Sequence, residues 1–234
     1  FGFIWVWYGE PQEIYPELPF FEDIGEDFPY ITLTDHWPVH YTRAIENQLD
    51  VVHIPFVHYN TIGRKMGPVI DGPIMKFSVI GNTVEEYYCN FYRYDDGTPA
   101  KKPNELEFDE KKIYIHFRFP HIWQNKILEK MRLFVAFVPI DDENCVLYMR
   151  YYQRFVRIPL LKQFIIWAGL KFSKKVLYQD KRVVVTEIPK KTDYKMKENL
   201  ITGDLPIIKY RKIRSELQEN GGKIETLSIL SKKE

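Results

Sequence analysis

Cysteine is scarce: the 234 residues hold only Cys89 and Cys145, far apart and without a Cys-x-x-Cys spacing. A disulfide scaffold, a zinc ribbon and a cysteine-ligated iron–sulfur cluster within these residues are thereby excluded, and a reducing, cytoplasmic compartment is expected. An excess of either charge is lacking too, with 33 Lys and Arg against 32 Asp and Glu and a net charge of +1. Bulk electrostatics therefore give no reason to expect a nucleic-acid or membrane-surface binder. There is no long apolar run: Ile158 to Leu170 is interrupted by Pro159, Lys162 and Gln163, short of the roughly 20 residues that a membrane span needs. No internal repeat or polar low-complexity tract is visible. The opening Phe-Gly-Phe-Ile-Trp-Val-Trp-Tyr-Gly has neither an initiator Met nor a basic flank, so it is read as the interior of a longer protein. Aromatics are what the chain has in surplus, 16 Phe, 16 Tyr and 5 Trp, which favours a sheet-rich fold, a roomy apolar cavity, or both.

The order of patterns gives an α+β domain. Phe3–Tyr8 reads as a strand ending at Gly9-Glu10-Pro11, and a Pro- and acid-rich connector follows to Pro29. A helical stretch is expected from Asp35 to about Gly63, with Pro38 in its first turn. From Val69 to Arg157 strand signals dominate: Met75–Ile80, Thr83–Tyr94, Lys112–Phe119, Met131–Pro139 and Cys145–Val156, with turns at Gly81-Asn82 and Asp141–Asn144. Such spacing describes an antiparallel meander. Pro159 opens a long amphipathic helix with Leu161, Phe164, Ile165, Ala168, Phe172 and Val176 as its apolar stripe. A shorter helix follows Asp204-Leu-Pro206, and the tail from Glu219 is expected to be mobile.

The chemistry concentrates between Arg43 and His58. On a helix, Glu46, Asn47, Asp50 and His53 form a polar stripe, away from Ile45, Leu49 and Val52. His53 and His58 are five residues apart, about 140° on a regular helix, too far to share a metal easily. Pro55 resolves this by breaking the helix at Ile54 and starting a second short segment, so that the two imidazoles converge. Two imidazoles and a carboxylate form the facial triad of non-haem Fe(II) sites. The carboxylate is expected from Asp180, because steps of four along the long helix, Phe172, Val176, Asp180 and Val184, set it in the stripe meant for the core. A buried Asp is costly unless paired or coordinating a metal.

The string Glu46-Asn47-x-x-Asp50-x-x-His53-x-x-x-x-His58, followed by Tyr178-Gln179-Asp180-Lys181-x-Val-Val-Val, resembles the catalytic domain of Rieske non-haem iron oxygenases. The likeness is best to the group of vanillate demethylase, dicamba monooxygenase, ketosteroid hydroxylase and pheophorbide oxygenase. Gly2–Gly9 is similar to the strand closing their Rieske domain, and Asp204–Arg211 to their C-terminal helix. The resemblance implies a helix-grip domain, a curved antiparallel sheet covered by a long helix, with His53, His58 and Asp180 as iron ligands. It further implies Asp50 as the link to the cluster of a neighbouring subunit and Asn47 beside the open coordination face. The implied layout is residues 1–10 closing an upstream Rieske domain, 11–34 a connector, 35–218 the iron domain and 219–234 the tail. The implied activity is hydroxylation, dihydroxylation or oxidative demethylation of an apolar substrate by dioxygen in a homotrimer. Electrons would come from NAD(P)H through a reductase or ferredoxin and a Rieske [2Fe-2S] cluster. The Cys-x-His and Cys-x-x-His pairs that bind that cluster do not occur here, so it belongs to an upstream segment or another chain.

Other polar groups have plainer readings. His36 and His40, separated by Pro38, are expected to be structural, as are His116 and His121. Lys174-Lys175 and Lys190-Lys191 read as solvated faces. Trp123, Phe134, Phe137, Tyr148, Tyr151 and Phe164 suit either a substrate pocket or a core. The rival function is a non-enzymatic hydrophobic-ligand carrier, which has no need to bury Asn47, Asp50, His53 and Asp180 together.

Overall fold

A computed structural model describes residues 1–230 except 8, 9, 16, 26, 27, 82, 110–113 and 157. Its centre is a seven-stranded antiparallel sheet in the order β1-β7-β6-β5-β4-β3-β2. The strands are β1 (Tyr30–Trp37), β2 (Val69–Ile80), β3 (Thr83–Arg93), β4 (Tyr114–Arg118), β5 (Ile122–Leu128), β6 (Met131–Pro139) and β7 (Cys145–Gln153). Strands β2, β3, β4, β6 and β7 follow the expected meander with β5 added between β4 and β6, and β1 joins it beside β7. The helices are α1 (Tyr41–Leu49), α2 (Ile54–Val57), α3 (Pro159–Val184) and α4 (Leu205–Glu219).

Alternation along each strand sorts the residues onto two faces. One face, with Tyr88, Phe117, Trp123, Val135, Phe137, Leu147 and Met149, shares a core with Ala44, Ile45 and Leu49 of α1, Leu177 and Val184 of α3, and Tyr210 and Ile213 of α4. The other face is covered by Phe20, Phe21, Ile24 and Phe28, which pack with Phe134, Ala136 and Tyr152. The stretch between Pro11 and Pro29 is thus more than a connector. Glu22 and Asp23 pair with Arg118 and Arg132, and Arg118 also reaches the Phe20 carbonyl.

Several expectations are corrected. Phe3–Trp7 forms no strand: Ile4 and Val6 are exposed, while Phe3 packs on Phe134 and under the Arg150 guanidinium. Tyr8 and Gly9, the expected end of that strand and its turn, lie outside the described residues. Asp35 and His36 belong to β1, and the helix starts only at Tyr41, capped by His40, so Pro38 precedes it and His36 shares no helix face with His40. Strand β5 was not anticipated because Gln124 and Lys126 make it look polar. Gln124 in fact donates to Asp23 on the covered face. Lys112, Ile113 and the turn residue Asn82 lie outside the described residues.

Helix α3 has the expected extent but packs on another side. Its buried residues are Ile166, Ser173, Leu177, Asp180 and Val184, whereas Leu161, Phe164 and Phe172 are exposed. Gly169 explains the choice, since a Cβ there would stand 2.5 Å from the Tyr151 ring. The close approach needs a small residue, and at roughly 100° per residue the buried stripe of Ile166, Ser173, Leu177, Asp180 and Val184 leaves Phe164 on the opposite side and Phe172 beyond its edge. The tail packs on the domain beyond Glu219: Leu227 is buried in the core and Glu216 holds Ser228.

Candidate metal centre

Helix α1 stops four residues earlier than Pro55 alone suggests. Asp50 is its C-cap with extended backbone (φ −68°, ψ 124°), and its carboxylate accepts from the Val52 amide at 2.6 Å. His53 then caps α2, which carries Pro55 in its first turn, and His58 closes it. His53 therefore reaches the site from the bend between two helices, not from a stripe along one. Gly63 holds the next turn tightly underneath, where a Cβ would meet the Ile54 carbonyl at 2.3 Å and the His58 carbonyl at 2.9 Å.

Asp180 comes in from α3. His58 Nε2 stands 2.8 Å and His53 Nε2 3.4 Å from Asp180 Oδ1, with the imidazole centroids 5.1 Å apart. Asp180 and His58 are buried and His53 nearly so. Among the described residues this is the one group of three or more His, Cys, Asp and Glu whose ligand atoms come within 4.8 Å of one another. Although two imidazole nitrogens crowd it, Asp180 Oδ1 has no partner in hydrogen-bond geometry, and neither does His53 Nδ1. An acceptor buried without a linear donor and faced by two more lone-pair donors is what a cation between them would satisfy.

The electrostatics follow from this crowding. Burial pulls the His53 imidazole down, yet its contacts with the Asp180 and Asp50 carboxylates outweigh that and push it up to about 9. Burial pushes Asp180 the other way, but His53 and His58 hold it below its ordinary range. His53 Nδ1 lies 3.3 Å from Asp50 Oδ2.

A residue outside the expected ligand set orients His58. Gln179 Oε1 is 3.0 Å from His58 Nδ1 and accepts from Thr61 Oγ1 at 2.7 Å, while Gln179 Nε2 donates to Asn60 Oδ1 at 2.6 Å. An acceptor at Nδ1 makes that nitrogen the protonated one and leaves the Nε2 lone pair facing Asp180. Its position beside Asp180 in the sequence was the available signal. Gln179→Leu is expected to weaken metal retention about 10–100-fold with unchanged secondary structure, checked by metal-competition titration and circular dichroism.

The remaining sequence candidates make other contacts. Asn47 is buried and accepts from Gln48 Nε2 at 2.9 Å, whereas Glu46 turns to Arg211 of α4. His40 caps α1, and burial, helped by Lys191 and Arg214, lowers it to about 4. His116 stacks on Tyr87 on the face covered by Phe21. Of the aromatic residues considered for a pocket, Trp123 and Phe137 face the helices, Phe134 and Tyr148 face the covered side, and Phe164 is exposed.

A long helix beside a seven-stranded antiparallel sheet is the fold of a Rieske-type oxygenase catalytic domain. Comparison with known proteins agrees. The description "Vanillate O-demethylase oxygenase C-terminal domain" matches residues 37–220, and the chain belongs to that family. The protein TIC 55, chloroplastic, of Pisum sativum is 27% identical over 219 residues, covering 90% of this chain and 38% of the relative. Two solved structures share the fold. A Pseudomonas putida CBB5 NdmA mutant with caffeine has a TM-score of 0.64 at 18% identity, covering 88% of this chain and 55% of that one. The terminal oxygenase of carbazole 1,9a-dioxygenase from Nocardioides aromaticivorans IC177 has a TM-score of 0.57 at 18% identity, covering 87% and 62%. The chain thus spans between 38% and 62% of the length of these relatives. No helix among the described residues is long and apolar enough to cross a membrane.

Proposed function

We propose that this domain holds a mononuclear Fe(II) between His53, His58 and Asp180 and oxidises an apolar, aromatic or polycyclic substrate with dioxygen. The observation that carries this reading is the convergence of two imidazole nitrogens on Asp180 Oδ1, which lacks a hydrogen-bond partner. Bound there, Fe(II) supplies open coordination positions for dioxygen. The protein's own part is to fix the ligands. Gln179 sets the His58 tautomer, Asp50 steadies His53, and burial keeps water from Asp180. Asp50 Oδ2 lies beside His53 Nδ1 and its side chain is 25% exposed. Those two facts support a role as the link to a Rieske [2Fe-2S] cluster carried by an upstream segment or another chain, in a homotrimer fed by a reductase or ferredoxin from NAD(P)H. Asn47, in the last turn of α1 before the Asp50 cap, is assigned to the margin of the open coordination face. Cys89 and Cys145, buried and not joined in a disulfide, suit a reducing compartment, the cytoplasm included.

The test is anaerobic Fe(II) loading with electron paramagnetic resonance of the nitric oxide adduct. One iron per chain with a high-spin nitrosyl signal is expected; a folded chain that takes up hydrophobic ligands but no iron would leave the carrier function in its place. Uptake should depend on pH with a definite sign. His53 holds its proton up to about 9 in the metal-free chain, so the metal must displace that proton. Affinity is expected to rise about tenfold per pH unit between about pH 6.5 and 8.5, with one proton released. The metal-free chain behaves oppositely. The stability it gains from charged His53 is complete below about 6.5 and is lost as pH rises through about 9. Denaturant titrations of metal-free protein across that range check this.

A further inference from the structure

Across the helix-facing side of the sheet, one row of paired residues runs Phe77, Glu86, Phe117, Trp123, Val135, Met149 and Leu33. Six of the seven are apolar and belong to or pack against the core. Glu86 is the exception. It is fully buried, and neither carboxyl oxygen has a hydrogen-bond partner among the described residues. Burial pushes its carboxyl well above the ordinary range, against the pull of Lys209 on α4. In the next row toward the metal-site segment, Asn125 lies opposite Ile115, which lies opposite Tyr88, and Asn125 Oδ1 is likewise without a partner. Tyr88, two residues along β3 from Glu86, reaches the Gln48 carbonyl, and Tyr92 reaches the Val51 carbonyl, each at 2.8 Å. The strand that carries Glu86 is thereby pinned to the segment that carries Asp50 and His53.

A buried acid with no partner is a standing cost to folding, and a core row gains nothing from it. Local choices that conflict with packing mark functional positions. We propose that Glu86 is the polar anchor for substrate, its carboxyl pairing with the adjacent N–H and C=O of a lactam or secondary-amide edge on an otherwise apolar polycycle. This rests on the reading of the domain as an oxygenase that binds an apolar substrate between sheet and helices. A carboxyl in the acid form has one donor and one strong acceptor side by side, which matches a lactam edge with two hydrogen bonds. Asn125 Oδ1 stands one row further on as a second acceptor. A cationic amine would instead need the carboxylate form, which the surrounding aromatic residues disfavour.

The probes are 2-quinolone, a bicyclic lactam, and its N-methyl derivative, which keeps the carbonyl and lacks the N–H. Both are titrated calorimetrically into the iron-loaded chain, and iron is measured on the same samples. Wild type and Glu86→Gln, whose amide also offers a donor and an acceptor, are expected to prefer 2-quinolone by about tenfold or more, the value of losing a buried hydrogen bond. In Glu86→Met the preference should collapse, while the ligand-free variant melts no lower than wild type because the buried acid is gone. Absence of 2-quinolone binding, equal affinity for the two probes, a preference that survives in Glu86→Met, or tighter binding of 1-naphthylmethylamine would each overturn the assignment. A chain that takes up no iron but still discriminates the probes would sink the oxygenase reading and leave the role of Glu86 standing.

Discussion

Asp180→Ala is expected to abolish iron retention: after anaerobic loading and desalting, the variant should carry no stoichiometric iron and show no nitrosyl signal. Asp180 Oδ1 is the point on which both imidazoles converge, at 2.8 and 3.4 Å, so its removal leaves two neutral nitrogens with no charge to hold the cation. The loss should exceed the about 10–100-fold that removal of an orienting partner such as Gln179 costs. The fold is expected to survive, because α3 is anchored on either side of the mutation by Leu177 and Val184, both buried in the core. A second readout is independent of metal. Asp180 and Asp50 raise His53 to about 9, so in metal-free Asp180→Ala the His53 titration followed by NMR should move to distinctly lower pH. Full iron occupancy in the variant would remove Asp180 from the ligand set; an unmoved His53 titration would contradict the geometry itself.

How Asp180 became visible shows what a sequence can carry. Spacing along α3 put a carboxylate in a stripe ending at Val184, and both residues are buried. At its start the stripe is misleading, because periodicity registers apolar side chains and not how closely a backbone can approach. Phe164 and Phe172 have the apolar surface, yet Gly169 and Ser173 let the helix meet the sheet. A similar confusion hid β5, whose Gln124 and Lys126 look solvent-directed until Asp23 of a distant segment arrives to receive Gln124. Partners far apart in sequence cannot be read from periodicity. The helix break was legible through Pro55, but its location at Asp50 depended on an Asp side chain capping the Val52 amide, a local competition between side chain and backbone. Gln179 lies within the same motif, yet only the fold brings it to His58 from 121 residues away.

The largest effect on stability is expected at a residue that the helical stripe had placed with the site. Glu46 receives Arg211 Nε and Nη2 on its two oxygens at 2.8 and 2.7 Å, and Arg43 approaches it at 3.5 Å. All three side chains are buried, and Glu198 closes the network with 2.7 and 3.2 Å contacts to Arg211 and Arg43. Burial pushes nearby Glu187 up to about 7, against the pull of Arg43, with Glu46 and Glu198 adding to the rise. Glu187 Oε2 lies 3.4 Å from Arg43 Nε, and without Glu46 its carboxyl ionises more readily, which offsets part of the missing charge. Glu46→Ala strips Arg211 of its bidentate partner and leaves the two buried guanidinium groups with Glu198 and, on the Arg43 side, Glu187; it should cost about 3 kcal/mol, the low end of the penalty for breaking a buried pair. Chemical denaturation of metal-free protein measures it. Replacing both members of the bidentate pair, as in Glu46→Met with Arg211→Met, should recover much of the loss, because an apolar contact of similar volume avoids the desolvation that the ion pair must offset. If the double variant were no more stable than Glu46→Ala, the pair would be holding α1 to α4 by more than its charges. The backbone offers a separate check on the link to the metal centre. The Glu46 carbonyl accepts the Asp50 amide at 2.8 Å, and a side-chain substitution leaves that bond in place. Iron retention in the double variant, measured well below its melting temperature, should therefore stay close to wild type.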